Sequence, residues 1–310
     1  MWLLLLIYAC LLISFAGLGW RIYKYASLPV HLRWELYPVA HEIGKPHGGS
    51  YLEDEGWWRR PRKINLLGES TVFLREIIFF REYFHSNRRF WSFVYPFHLG
   101  LFLLAAWAVM LFIGAILTLN GLTVSAATAN PWLQLTYYLT LISGIAAFIL
   151  GIFGTVGLLF KRSLDKDLRN YTAPIDYCNL VGILLIFVTG LLFWILEDPT
   201  FSLARGFVQG LLSFKPIATG PLMTANIVLS VLFLAYMPFT RMVHYVAKYF
   251  TYHRVRWDDE PNTRGSKLEG KIKELLAQSE SWSAPHSQPG KSWAEQAAGT
   301  GATDDKEAPK

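Results

Sequence analysis

Cysteine is nearly absent from this chain of 310 residues. Only Cys10 and Cys178 occur, each isolated within an apolar stretch, and there is no CxxC pair. An iron–sulfur cluster is usually held by four thiolates, so this chain cannot hold such a cluster by itself. We interpret the two thiols as small hydrophobic groups that are buried.

Charge is also scarce, because charged residues make up only 17% of the chain and hydrophobic residues 53%. The apolar residues gather in five nearly uncharged runs: Trp2–Trp20, Phe93–Leu119, Pro131–Phe160, Ile175–Leu196 and Pro221–His244. Each run is long enough to cross a hydrocarbon layer about 30 Å thick at about 1.5 Å per residue. The sequence therefore predicts an all-α membrane protein with five transmembrane helices.

The distribution of positive charge predicts an orientation. All but two of the 29 Lys and Arg residues lie in 21–92, in 161–173 or from Arg241 onward. Since such residues collect on the cytoplasmic side, we expect a periplasmic N-terminus and a cytoplasmic C-terminus in a bacterial or archaeal inner membrane. The first run lacks a preceding positive charge and a clear cleavage site, so we interpret it as a retained anchor. Contact with this membrane explains the net charge of +6 without a nucleic-acid partner.

Four segments follow from this pattern. Residues 1–24 form transmembrane helix one, 25–92 a cytoplasmic loop and interfacial helix, 93–250 a four-helix membrane bundle, and 251–310 a cytoplasmic tail. Within the second segment, NLLGESTVFLREIIFFREYFHSNRRF alternates apolar and charged residues at helical spacing. This alternation predicts an amphipathic helix along the inner leaflet before helix two. In the tail, KLEGKIKELLAQ predicts a short helix, and the composition from Ser279 onward predicts disorder until a partner protein binds.

Two histidines lie inside the apolar runs, His98 near the start of the second and His244 at the end of the fifth. Ionisable groups within membrane spans usually serve a function. If the two helices are antiparallel, both imidazoles lie at nearly one depth, as axial ligation of a haem iron requires. Arg241 could pair with a haem propionate or with lipid phosphate. Taken alone, His244 would be an interface residue whose ring reaches water.

Other features leave alternatives open. Asp176, at the start of the fourth run, either meets the positive end of its helix or accepts a proton from a quinol. Gly100 either lets a macrocycle approach the backbone or is an ordinary glycine of a membrane helix. Close helix packing is favoured over a cofactor face for Gly144, Gly151, Gly154 and Gly157. A solvated or partner-facing loop is favoured over a zinc site for His31, His41 and His47.

Several motifs resemble one family. PFTRMVH in the last run, SFVYPFH at the start of the second and the five spans resemble the gamma subunits of membrane-bound respiratory nitrate reductase. HLRWELYPVAHE, NLLGE and HRVRWDDEPN are similar to an anaerobe branch: cytochromes b of the sulfite-reduction-associated and Tmc-type transmembrane redox complexes and of membrane heterodisulfide reductase. The likeness covers residues 1 to about 278. It implies electron transfer in anaerobic respiration between menaquinone or another quinone and a cytoplasmic iron–sulfur subunit of the heterodisulfide-reductase type. A periplasmic multihaem cytochrome c is a further partner that it suggests.

The resemblance also bears on the number of haems. Members of the nitrate reductase type use two haems held by four histidines. The inner pair maps onto His98 and His244, while the outer pair falls on Ala108 and Asn226, neither of which suits a haem iron. The resemblance therefore implies one haem b, held by the inner pair.

We expect, then, a membrane cytochrome b subunit of a quinone-linked oxidoreductase complex. A single haem near one face cannot connect two surfaces about 30 Å apart, so we expect a quinone site in the inner half, with Asp176 as candidate proton acceptor. The main alternative is a haem-free membrane anchor for a soluble redox enzyme. A transporter is disfavoured because no inverted repeat is visible. An outer haem held by Met110 and Met223 is also disfavoured.

Overall fold

The computed structural model describes residues 1–29, 39–40, 42, 50–60, 63–285 and 287–299. In these ranges it is helical without strands. The helices are α1 (Trp2–Ala26), α2 (Leu66–Phe79), α3 (Arg81–Ser86), α4 (Arg88–Leu119), α5 (Pro131–Leu164), α6 (Lys166–Asn170), α7 (Pro174–Leu196), α8 (Ser202–Leu212), α9 (Pro221–Tyr236), α10 (His244–Thr251), α11 (Lys267–Leu276) and α12 (Trp293–Gly299). Five of these, α1, α4, α5, α7 and α9 with its extension to Phe239, are long and apolar enough to cross a membrane. The predicted all-α class with five spans is confirmed.

The chain forms two compact units. The first contains Met1–Gly19 and Thr71–Val243, and the second contains Trp20–Ser70 and His244–Lys310. The first unit therefore holds four of the membrane spans and most of α1. The second holds the end of α1, the start of α2, and the chain from α10 onward.

Glycines form the seam between α4 and α5 in the first unit. A Cβ added at Gly100 would lie 2.6 Å from the Gly151 nitrogen, and one added at Gly154 would lie 2.3 Å from the Phe97 nitrogen. Neither distance leaves room for a side chain, so the two antiparallel backbones approach closely only because these residues are glycine. The same face of α5 places Gly144 against Trp107 and Phe201, and Gly157 against Phe93. Close packing, the favoured interpretation of these glycines, is confirmed, and Gly100 belongs to it.

Helix α1 packs on the bundle through one stripe of residues. Leu3, Ile7, Cys10, Ser14 and Gly17 recur every three or four positions and are buried, as one face of a helix requires. The other thiol lies on an outward face of α7 and is exposed. The predicted burial is therefore confirmed for Cys10 and wrong for Cys178. The apolar sequence of α7 did not distinguish inward-facing from lipid-facing positions.

Two segments expected to be continuous helices are interrupted. The amphipathic segment divides into α2 and α3 at Phe80, which has a left-handed backbone with φ 52°. The α-helix of the last span ends at Tyr236, because Pro238 lacks the N–H that a continuing helix needs. Thr240 is then extended, with φ −113° and ψ 177°. The expectation of one helix running through His244 is wrong, since that residue begins α10.

The tail is more ordered than its composition predicted. Helix α11 confirms the predicted short helix. Beyond it, Ser279 forms an isolated bridge with Ser292, and α12 begins where the Ser292 hydroxyl and the Glu295 carboxylate cap each other's backbone N–H groups. The described residues up to 299 therefore have more regular local structure than the composition predicted, with α12 capped by these side-chain bonds, whereas ordering on a partner protein stays a prediction.

Candidate functional site

His98 lies in the first unit, about three turns into α4, and is half-buried. Its Nδ1 is 2.8 Å from the carbonyl oxygen of Val94, one turn earlier. A carbonyl only accepts hydrogen bonds, so Nδ1 carries the proton. The Nε2 atom then carries the lone pair with which a neutral imidazole binds a metal.

Aromatic rings surround this imidazole. The ring centroid of Phe80 lies 4.6 Å from that of His98, with the planes tilted by 44°. The ring of Phe97 meets His98 edge-on at 5.0 Å and 86°. Phe97 and Val94 are buried, so the imidazole stands in a largely apolar setting. Phe80 was not among the site residues that sequence analysis identified.

The interruption that carries Phe80 is held by specific hydrogen bonds. The backbone N–H of Glu82, at the start of α3, donates to the buried carboxylate of Glu76 at 3.1 Å. The indole N–H of Trp91 donates to the carbonyl of Phe79 at 2.9 Å. Trp91 lies two turns before His98 on the same face of α4. These bonds tie the interruption to the helix that bears the histidine.

His244 and Arg241 lie on separate elements. Arg241 begins a single 3₁₀ turn that closes the first unit, whereas His244 is the first residue of α10 and of that part of the second unit. Both are exposed. Since His98 and His244 belong to different units, their pairing across one iron stays a prediction, as does the pairing of Arg241 with a propionate.

Asp176 lies in the first turn of α7. Its Oδ2 accepts the backbone N–H of Ala173 at 3.1 Å, which is the capping role that the sequence left open. Close by in the chain, the Tyr177 hydroxyl donates to the carbonyl of Arg162 at 2.9 Å, and Arg162 donates to the Thr172 hydroxyl at 3.2 Å. Polar groups therefore collect where α5 ends and α7 begins. The role of Asp176 as proton acceptor stays a prediction.

The second unit contains a histidine–carboxylate pair that sequence analysis did not identify. His253 Nε2 lies 2.9 Å from a carboxylate oxygen of Glu69, and His253 Nδ1 lies 2.9 Å from the carbonyl of Tyr249. The Tyr249 ring stacks on the imidazole at 4.3 Å. Glu69 ends the motif NLLGE, and His253 begins the motif HRVRWDDEPN. The one sequence signal for this contact was that a carboxylate in the first motif could pair with a basic side chain in the second.

Comparison with known proteins places the chain in a family. The model described as nitrate reductase gamma subunit matches residues 83–258, more than half of the chain. The chain belongs to the nitrate reductase gamma subunit family. Members are electron-transferring membrane cytochromes b within multi-subunit redox complexes, and they usually bind haem b. The chain has no match among curated proteins or solved structures.

The surroundings of His98 fit the haem b that gamma subunits usually bind. The Nδ1 of His98 donates to a backbone carbonyl, which leaves Nε2 for a metal, and the rings of Phe80 and Phe97 pack against the imidazole. No group of three or more His, Cys, Asp or Glu among the described residues could hold a bare metal ion. An iron bound by a porphyrin needs only two axial ligands. His31, His41 and His47 lie outside the described residues.

The resemblance places a second ligand pair at Asn226 and Ala108 of this gamma subunit. The Asn226 side chain is 9% exposed. Its amide donates to the carbonyl of Ile186 at 2.8 Å and to the Thr189 hydroxyl at 3.0 Å, which ties α9 to α7. Ala108 is exposed on α4. Neither side chain offers a donor that haem iron takes in proteins.

Proposed function

We propose that this gamma-family chain is the cytochrome b subunit of an anaerobic respiratory complex, with one haem b held by His98 and His244. The observation that carries this proposal is the hydrogen bond from His98 Nδ1 to the Val94 carbonyl. It orients Nε2 as a metal ligand within a span that the family model matches. When bound, the haem supplies a one-electron carrier inside the apolar layer.

The packing of the rest of the bundle supports a single haem. The amide of Asn226 is already occupied by α7. Four rings with 2% exposure or less lie in the core of the first unit: Phe148, Phe187, Phe193 and Phe201. A second macrocycle would have to displace rings from a close-packed core, and such a core does not yield space cheaply.

The proposal assigns one face of the membrane to quinone chemistry. Because a single haem is the one electron carrier, the quinone reacts in the half of the bundle that contains His98. Menaquinone is the candidate quinone. Asp176 is the candidate acceptor for a quinol proton, supported by its place among the polar groups between α5 and α7. The electron partner is a cytoplasmic iron–sulfur subunit of the heterodisulfide-reductase type, and a periplasmic multihaem cytochrome c is a second candidate partner. The second unit and the tail, which faces the cytoplasm in the predicted orientation, are the candidate docking region.

Spectroscopy of the purified full-length chain tests the proposal. Reduction with dithionite should give a b-type band that corresponds to one haem per chain, and His98→Ala and His244→Ala should each abolish it. His85→Ala is the matched control, since this exposed histidine lies on α3 outside the apolar spans, and it should retain the band. The double variant Ala108→His with Asn226→His should still bind one haem. Wild-type protein without haem in an intact complex would refute the proposal in favour of a membrane anchor.

A further inference from the structure

Phe80 has a backbone conformation that its side chain disfavours. Its φ is 52° and its ψ is 50°, the left-handed region in which a Cβ crowds the following carbonyl oxygen. Only two other non-glycine residues within the described ranges have positive φ. Such residues persist where surrounding structure holds them, and they cluster at functional sites.

The surrounding contacts hold this conformation from both sides. The Phe80 N–H donates to the Glu76 carbonyl at 3.2 Å, which completes the last turn of α2. The Glu76 carboxylate accepts the N–H of Glu82 in the first turn of α3. The Trp91 indole, on α4, donates to the Phe79 carbonyl. The interruption is therefore a fixed joint between three helices.

The joint directs the Phe80 ring onto the His98 imidazole. The two ring centroids are 4.6 Å apart, and Phe80 also packs against the buried core of the first unit. The neighbouring ring of Phe79 is 53% exposed. Of these two adjacent rings, the ring of Phe80 is therefore the one that faces the imidazole.

We propose that Phe80 is a positioning residue for His98, whose ring fixes the plane of the imidazole and keeps water from it. The inference rests on the proposed function, because it treats His98 as a haem ligand. Orientation of the axial ligand and solvent access around it are two of the means by which a protein sets a haem potential. The hydrogen bonds of Glu76 and Trp91 hold the backbone on either side of Phe80, and they thereby keep its ring against His98.

Removal of the ring has a defined consequence. Water that reaches His98 stabilises the oxidised, more positive form of the haem, so the midpoint potential falls. At a fixed ambient potential, the ratio of oxidised to reduced haem rises by up to about tenfold, equivalent to about 59 mV for a one-electron couple. The orientation of the imidazole also relaxes, which changes the g-values of the oxidised haem in electron paramagnetic resonance.

Three variants of the full-length chain test the role of the ring. Phe80→Gly removes the ring but keeps the left-handed backbone, which glycine adopts readily, so the protein should fold and bind haem while its potential and g-values shift. Phe80→Tyr retains a ring and should resemble wild type. Phe79→Ala removes the adjacent, outward ring and should also resemble wild type.

The outcomes separate this inference from the proposed function. Haem-loaded Phe80→Gly with the wild-type potential and g-values would overturn the inference alone. An equal shift in Phe79→Ala would also overturn it, because the effect would then belong to the joint and not to the ring. Wild-type protein that binds no haem would overturn the proposed function and the inference together.

Discussion

Replacing Gly154 with alanine should force α4 and α5 apart. The new Cβ would lie 2.3 Å from the nitrogen and 2.5 Å from the Cα of Phe97, whereas ordinary contacts begin at 3.4 Å. The seam must therefore open by roughly 1 Å, because backbone atoms cannot rotate out of the way. Overpacking costs about 1–3 kcal/mol, and a rigid obstruction favours the upper end. After a gain of about 1 kcal/mol in helix propensity, the net loss is about 2 kcal/mol.

The assay is equilibrium unfolding in mixed micelles, followed by tryptophan fluorescence. Gly206→Ala on α8 is the matched control, since a Cβ there meets nothing within 4 Å, and it should stabilise the protein by up to about 1 kcal/mol. Gly154→Ala should also lower haem occupancy, because Phe97 precedes His98 in α4 and contacts its ring. If both alanine variants were equally stabilising, the close approach of α4 and α5 would be refuted.

Three further predictions concern groups outside this seam. Glu197→Ala should lower the free energy of unfolding by about 1–2 kcal/mol, because both carboxylate oxygens accept backbone N–H groups at the start of α9; Glu197→Gln should lose less. Burial, and then the Asp259 carboxyl, raises the pKa of Glu42 above 4.5. The protonated Glu42 side chain therefore stabilises the fold below pH 4.5, and this stabilisation is lost as the pH rises through the raised pKa of the folded state. Limited proteolysis of residues 50–60 should accelerate over that window, and Glu42→Gln should remove the dependence. Burial lowers the pKa of Arg205, and its Nε and Nη2 have no hydrogen-bond partner in the described chain. Its Nη1, however, donates to the Val124 carbonyl at 3.0 Å, and its charge interacts with the buried carboxylate of Asp198. Arg205→Met should therefore lower the unfolding midpoint, because it leaves that carbonyl and that carboxylate without their partner, and an unchanged midpoint would contradict this account.

Long periodic signals made most of the fold predictable. The five spans follow from hydropathy alone, because a membrane helix must satisfy its backbone internally over a fixed thickness. The packing face of α5 follows from the spacing of Gly151, Gly154 and Gly157, since small residues three positions apart allow close approach. The spans and the packing face of α5 depend on residues that are close together in the chain, so they can be predicted from a single sequence.

The interruptions depend on contacts between distant residues. The apolar periodicity runs without a break through Phe80, and no glycine, proline or asparagine marks the joint. Its position is set by the hydrogen bonds of Glu76 within α2 and of Trp91 on α4. Local helix propensity does not include such side-chain contacts. The interruption in the last span did have a signal, Pro238, which the length of the apolar run outweighed. Pairing of His98 with His244 stays a prediction for a related reason, because it joins residues of different units.

Each candidate ligand follows an interruption of the helix before it. The left-handed Phe80 separates α2 from α3, the helix before the one that carries His98, and the extended Thr240 precedes the helix that His244 begins. An uninterrupted helix fixes every side chain by the 100° step between residues, so it can aim one imidazole only by turning its entire length. An interruption frees that direction at the cost of local strain or of unmade backbone hydrogen bonds. Departures from local preference are expected at functional sites, where position matters more than stability. Both interruptions lie upstream of the candidate histidines, which is a physical reason, separate from motif likeness, to test these two residues first.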